Sequence, residues 1–206
     1  MARASNYERM QRRMAGAFLA YDQGQMIARY GLAADEAYLY LTFVGLPCRI
    51  GRATGQVEHR RGGVWAAADY NEAMTLYDFL CYARPGCRAA GEYVSLQSLS
   101  TVATGSVPPG GGLLDQAARA LDGRADRLDT ACRRLGGTPA GRGDVAFRIP
   151  VFGGLAVVFQ FWRADEEFPA SIQFLCDRNI LQFLHYETVW FLLSHIVRRL
   201  EEETAS

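Results

Sequence analysis

The acidic turn Asp165-Glu166-Glu167 follows Trp162 and Arg163, and Asp177-Arg178-Asn179 comes a short strand later. Adjacent carboxylates can bind a hard cation or steer a basic ligand. An arginine beside them can orient a polar ligand through directed hydrogen bonds. The candidate ligand-binding set is therefore Arg163, Asp165, Glu166, Glu167, Asp177 and Arg178. Strand geometry limits what these residues can do together. If the turn closes a hairpin at residues 166–168, Asp177 pairs near Val157, about 25 Å from Asp165 at ordinary strand rise. No single ion bridges that distance, and the set predicts no metal site. The plainer reading is a solvated turn followed by an aspartate on the approach to a helix.

The histidines are His59, His185 and His195, and the five cysteines stand at 48, 81, 87, 132 and 176. There is no C-x-x-C pair, and the interval from His185 to His195 is not a ligand spacing. His195 falls in an apolar helical stretch, where a hydrogen-bonded core or boundary histidine is expected. His185 precedes that helix and should be exposed. The cysteines read as small buried hydrophobes, with Cys81 and Cys87 the one close pair. A Cys/His nucleophilic pair would need a proximity that spacing does not indicate. The loop Pro108–Gly112 enters a helix at Leu113, where backbone N–H groups can cradle an anion. It lacks G-x-G-x-x-G and follows no strand directly, so a flexible loop is the plainer reading there and at Gly136–Gly143.

Composition removes whole classes of chemistry. All 22 basic residues are arginine. A Walker A loop, a pyridoxal phosphate Schiff base and a Ser–Lys dyad all need lysine, so each is excluded. Twenty-two acidic residues bring the net charge to zero. No basic run exceeds two residues, so broad binding to a nucleic-acid backbone is not expected. No apolar run reaches membrane-spanning length and no signal peptide is evident, so a cytoplasmic protein with free thiols is expected. The 206 residues are half apolar, enough to bury a core without staples.

The elements that would position these residues follow from periodicity. Residues 6–30 read as an amphipathic helix with a Met/aromatic stripe, breakable at Gly24 and ended by Gly31. The stripe suits the core better than a partner surface. Ala37–Val44 reads as a central strand, followed by shorter strands at Cys48–Ile50 and Gln56–Arg60. Asp69–Ala83 is a helix with a D-x-x-E start resembling a capping box. Residues 91–112 read as loop. Leu114 to Leu135 keeps a 3–4 repeat that predicts one helix running through Gly123. Val145–Phe152 and Leu155–Trp162 flank Gly153-Gly154 as a hairpin, with Pro150 at an edge or bulge. Ser171–Cys176 is the next strand, and Glu187–Glu203 a final, deeply buried helix. The expected fold is one α+β domain, a mainly antiparallel sheet with a C-terminal β-meander packed against several amphipathic helices.

Trp162, the string Asp165-Glu166-Glu167-Phe168-Pro169-Ala170-Ser171, Leu175, Asp177 and Glu187 resemble a prokaryotic family known as domain of unknown function 3786. Gly136-Gly137, Pro139, Gly143-Asp144 and Phe147 fit the same pattern, and Leu39–Ile50 and the helix around Tyr77 fit it more weakly. Cys176 stands where an aromatic residue is expected. Members of the family occur largely in anaerobes, and some carry a separate iron–sulfur domain, for which this chain has no clustered cysteines. The resemblance implies an accessory role near redox or corrinoid metabolism and transfers no catalytic residue. The expected function is a non-catalytic ligand- or cofactor-binding accessory protein, its partner a small molecule or a redox or corrinoid protein. The alternatives are an interaction subunit or homodimer, and an enzyme using Asp165, Glu167 or Asp177.

Overall fold

Side chains alternate across extended backbone, so a strand with one buried face sorts its residues by parity. In the computed structural model, which describes residues 5–99 and 111–205, the first sheet is antiparallel and runs in chain order. Its strands are β1 (Ala33–Ala34), β2 (Tyr38–Phe43), β3 (Leu46–Gly51), β4 (Val57–Arg61) and β5 (Val64–Ala67). Leu39, Leu41, Phe43, Cys48, Ile50 and Val57 are buried. On the opposite parity, Arg49 and Glu58 face each other across β3 and β4 and pair at 2.7 Å. The Arg49 guanidinium also lies over Trp65 and Tyr38, 4.3 and 4.0 Å from the ring centroids.

Before this sheet come α1 (Asn6–Phe18) and α2 (Gln23–Tyr30). The single helix expected over 6–30 is interrupted because Asp22 accepts a hydrogen bond from the Gln25 amide and starts a second helix. The Met/aromatic stripe expected over 6–30 divides. Ala15 and Phe18 enter the core, whereas Tyr7, Met10 and Tyr21 stay exposed. After the sheet, α3 (Tyr70–Cys81) packs against α1 and against the final helix, α7 (Tyr186–Ala205).

The second sheet, also antiparallel, has the order β6-β10-β9-β8-β7. The strands are β6 (Tyr93–Ser95), β7 (Thr138–Pro139), β8 (Val145–Phe152), β9 (Leu155–Trp162) and β10 (Ser171–Asp177). β9 is buried from Leu155 to Phe161, as a central strand should be. The register slips between Pro150 and Phe152, so of the edge or bulge expected at Pro150 the structure has a bulge. Residues 93–99 are not loop: β6 joins the sheet and a short helix, α4 (Leu96–Leu99), follows. Most of the glycine-rich loop, through Gly110, lies outside the described residues. The expected 114–135 helix is two, α5 (Gly111–Asp122) and α6 (Ala125–Arg134). The break falls at Gly123-Arg124, where glycine's low helix propensity lets the chain bend while Leu121, Ala125 and Leu128 all stay buried.

α7 ties the layers together, touching α3 on one side and α5 and α6 on another. The sheets meet at the β2–β3 turn. There the Val44 amide donates to Val151 O at 3.1 Å, and Arg199 donates to Val44 O at 3.2 Å. Val44 takes φ 45° and Gly45 φ 73°. The left-handed conformation is unfavourable for a β-branched residue, and these two hydrogen bonds hold it. Gly45 is required for a second reason: a Cβ there would lie 2.9 Å from the Leu135 backbone. Among the described residues no helix is long and apolar enough to cross a membrane.

Candidate functional site

The six residues of the acidic set do not converge. Asp165 Oδ1 accepts the amides of Glu167 and Phe168 at 2.9 and 2.8 Å, closing its own turn. These amides, Phe168 first, hold the Asp165 carboxyl below the usual aspartate range. Glu166 and Glu167 are exposed. Arg163 pairs with Asp126 at 2.6 Å, and its own amide and that of Ala164 donate to Asp144 and Asp122. The turn is thus fastened to the α5–α6 break. At the far end of β10, Asp177 is fully buried and accepts the amides of Ala90, Gly91 and Asn179 at 2.8–3.0 Å. Arg178 pairs with Glu92 in solvent at 2.8 Å. Cys176 opposes Val157 across the sheet, so Asp177 and Asp165 lie at opposite ends of the strand, as strand rise predicted.

A different cluster forms where α3 and α7 cover the first sheet. It begins with the D-x-x-E start. Asp69 caps α3, its Oδ1 accepting the Glu72 amide at 3.0 Å. Glu72 does not reach back to close a capping box. Its carboxylate turns to the sheet, where Cys48 and His59 sit directly opposite each other on β3 and β4. Glu72 Oε2 meets His59 Nδ1 at 2.8 Å and Oε1 accepts from Cys48 Sγ at 3.3 Å, with Glu72 itself fully buried. Burial and the adjacent carboxylate push the Cys48 thiol far up, which keeps it protonated and unsuited to nucleophilic attack.

From α7, His195 enters the same space. Its ring lies against Phe43 with centroids 5.1 Å apart. It is 1% exposed, yet neither ring nitrogen has a hydrogen-bond partner. The expected hydrogen-bonded core histidine is therefore not what the structure holds. Its Nδ1 stops 3.9 Å from Asp69 Oδ2, beyond hydrogen-bond length. An unpartnered buried polar atom costs about 1–3 kcal/mol, so such atoms are rare and mark places where a further group belongs. Arg198, one turn further along α7, reaches Asp69 Oδ2 at 2.7 Å. Burial works against charge on Asp69, but the Glu72 amide and Arg198 outweigh it and hold the carboxyl well below its usual range.

The cluster borders a groove of about 490 Å³ that takes in Asp69, Tyr70, Asn71, Trp190, Phe191 and Arg198, with Tyr7 at one end. Its wall is aromatic: Tyr7 meets Tyr70 edge-to-face at 4.9 Å, and Tyr70 meets Phe191 likewise at 5.4 Å. The buried Trp190 Nε1 has no hydrogen-bond partner. None of the six residues from the acidic set lines this groove. Elsewhere Asp78 accepts the amide and ring nitrogen of His185 at 2.7 and 2.6 Å, and the imidazole stays half exposed, as expected.

Sequence reading misses this cluster because each member has a plainer explanation at its own position. Asp69 and Glu72 pass for a helix start and His195 for core. The available signal is the apolar run Val189–Val197, in which a histidine has few possible partners.

A family model described as Domain of unknown function (DUF3786) matches residues 22–199. No curated protein and no solved structure matches the chain.

Proposed function

The chain belongs to the family described as Domain of unknown function (DUF3786), and we propose that it binds a small, flat molecule carrying an anionic group. The observation that carries this reading is the Arg198 guanidinium set beside an aromatic wall in one groove. A flat ring packs against tyrosine and phenylalanine, while an anionic substituent accepts from the guanidinium. Such a groove, apolar with a few convergent polar groups, has the form of small-molecule sites generally. A cytoplasmic setting is part of the proposal, supported by five cysteines that form no disulfide. The link to redox or corrinoid metabolism rests on the family resemblance alone; no groove residue argues for it.

The test uses anilinonaphthalene sulfonate, a flat anion whose fluorescence rises on burial. The folded protein should bind it saturably at one site. Arg198→Ala and Tyr70→Ala should each weaken it about tenfold, the worth of one charge-assisted bond or one aromatic contact. Circular dichroism checks that both variants stay folded. Unchanged affinity in both would place the ligand elsewhere.

A further inference from the structure

We infer that a divalent first-row transition-metal ion binds behind the groove wall, held by Asp69, Glu72 and His195. One ligand atom from each residue lies within 4.8 Å of the others. Three atoms so spaced have a common point no more than about 2.8 Å from each, against about 2.0–2.2 Å in a closed site. Shifts of well under an ångström in each side chain therefore bring all three to bonding distance. The imidazole sets the class of ion: nitrogen with two carboxylates suits zinc, manganese, iron or cobalt, whereas magnesium and calcium prefer oxygen alone.

Three further features agree with this assignment. Both nitrogens of His195 lack partners although the residue is 1% exposed, so one lone pair is available to an ion. Glu72 is oriented by His59 on one oxygen and Cys48 on the other, the hydrogen-bonded backing that metal-bound carboxylates commonly have. Arg198 sits beside Asp69 but is partly exposed and also reaches Glu202 at 3.2 Å. It can turn away from Asp69 and keep an ion pair. The ion would compensate carboxylates that are otherwise drawn into the interior against their desolvation. Because Asp69 also lines the groove, the ion and a groove ligand share one residue, but the ion site stands without any groove ligand.

The experiment uses the full chain, stripped with chelator and titrated with cobalt(II) alone. Saturation at one equivalent, with visible ligand-field absorption, is expected. His195→Ala and Glu72→Gln should each weaken binding at least about tenfold, since even backing residues are worth that much. His185→Ala, on an exposed histidine engaged with Asp78, should leave it unchanged. Should the buried variants misfold, the wild-type protein labelled at its histidine nitrogens gives the answer. Zinc should shift one ring nitrogen of His195 and leave His185 in place. Absence of saturable binding, or a zinc response at His185 and none at His195, would overturn the inference.

Discussion

Asp165 and Asp69 each close a turn by accepting a backbone amide two or three residues ahead, and beyond that their surroundings diverge. The carboxyl of Asp165 is spent on its own turn, and its neighbours Glu166 and Glu167 face solvent. Asp69 gives one oxygen to α3 and turns the other toward Arg198 and the orphaned ring of His195. The first region displays three consecutive charges and leaves little unsatisfied. The second is spread over two strands and two helices and contains buried polar atoms that the protein itself does not satisfy. Charge density in a sequence thus locates solvated turns well. A binding site is marked better by polar groups that burial leaves without partners.

The sharpest way to break this contrast is Glu72→Ala. It strips His59 and Cys48 of a shared, fully buried acceptor. Two hydrogen bonds to a carboxylate, at about 1.5–3 kcal/mol each, put the loss at about 3–5 kcal/mol. Urea unfolding should show the midpoint falling with little change in slope. A loss below about 1 kcal/mol would mean the carboxylate is not integrated in the core, and the contrast would fail. Asp177→Ala comes next, at about 3 kcal/mol, because three amides lose a charged acceptor at once. A loss of that size would identify Asp177 as a structural anchor and separate it from the exposed members of the acidic set.

His195→Leu should act in the opposite direction. In chelator-treated protein, replacing an unpartnered imidazole with a leucine of similar volume should stabilise the fold by about 1–2 kcal/mol. Destabilisation by a similar amount would show that the ring nitrogens do have partners in solution. Both the metal inference and the contrast between the regions would then lose their main support.

The elements were legible where one interaction dominates. The aromatic-rich β2, the hairpin at Gly153-Gly154 and the apolar α7 depend on local pattern, and they stand where that pattern puts them. The two helix breaks were not legible in the same way. At Asp22 a side-chain cap competes with an otherwise continuous stripe, and at Gly123-Arg124 the bend keeps the same leucines buried that a straight helix would. The α3–α7 cluster was still less accessible. It depends on β3 and β4 pairing Cys48 with His59, and on α7 crossing α3 beside them. Those are tertiary facts that no spacing along the chain encodes.

The smallest expected effect is at Asp165, and its pH dependence carries the information. The amides of Phe168 and then Glu167 favour the ionised carboxylate and hold its folded pKa below the ordinary value. The unfolded chain, with an ordinary aspartate pKa near about 3.9, then binds the proton more tightly than the folded one. Any stability this contributes is present in full above that value and is lost as pH falls through the lower folded pKa. Asp165→Asn keeps an acceptor oxygen in the turn but cannot titrate. Melting temperatures of wild type and variant should therefore differ by a small, constant amount from neutral pH down to about 5. The difference should shrink once the pH drops below about 4. Because the carboxyl is exposed, solvent screening keeps the whole effect well under those at Glu72 and Asp177. If the variant instead unfolds at neutral pH, the turn is an integral support for the α5–α6 break that Arg163 and Ala164 touch. The surface region would then belong with the buried one in energetic terms.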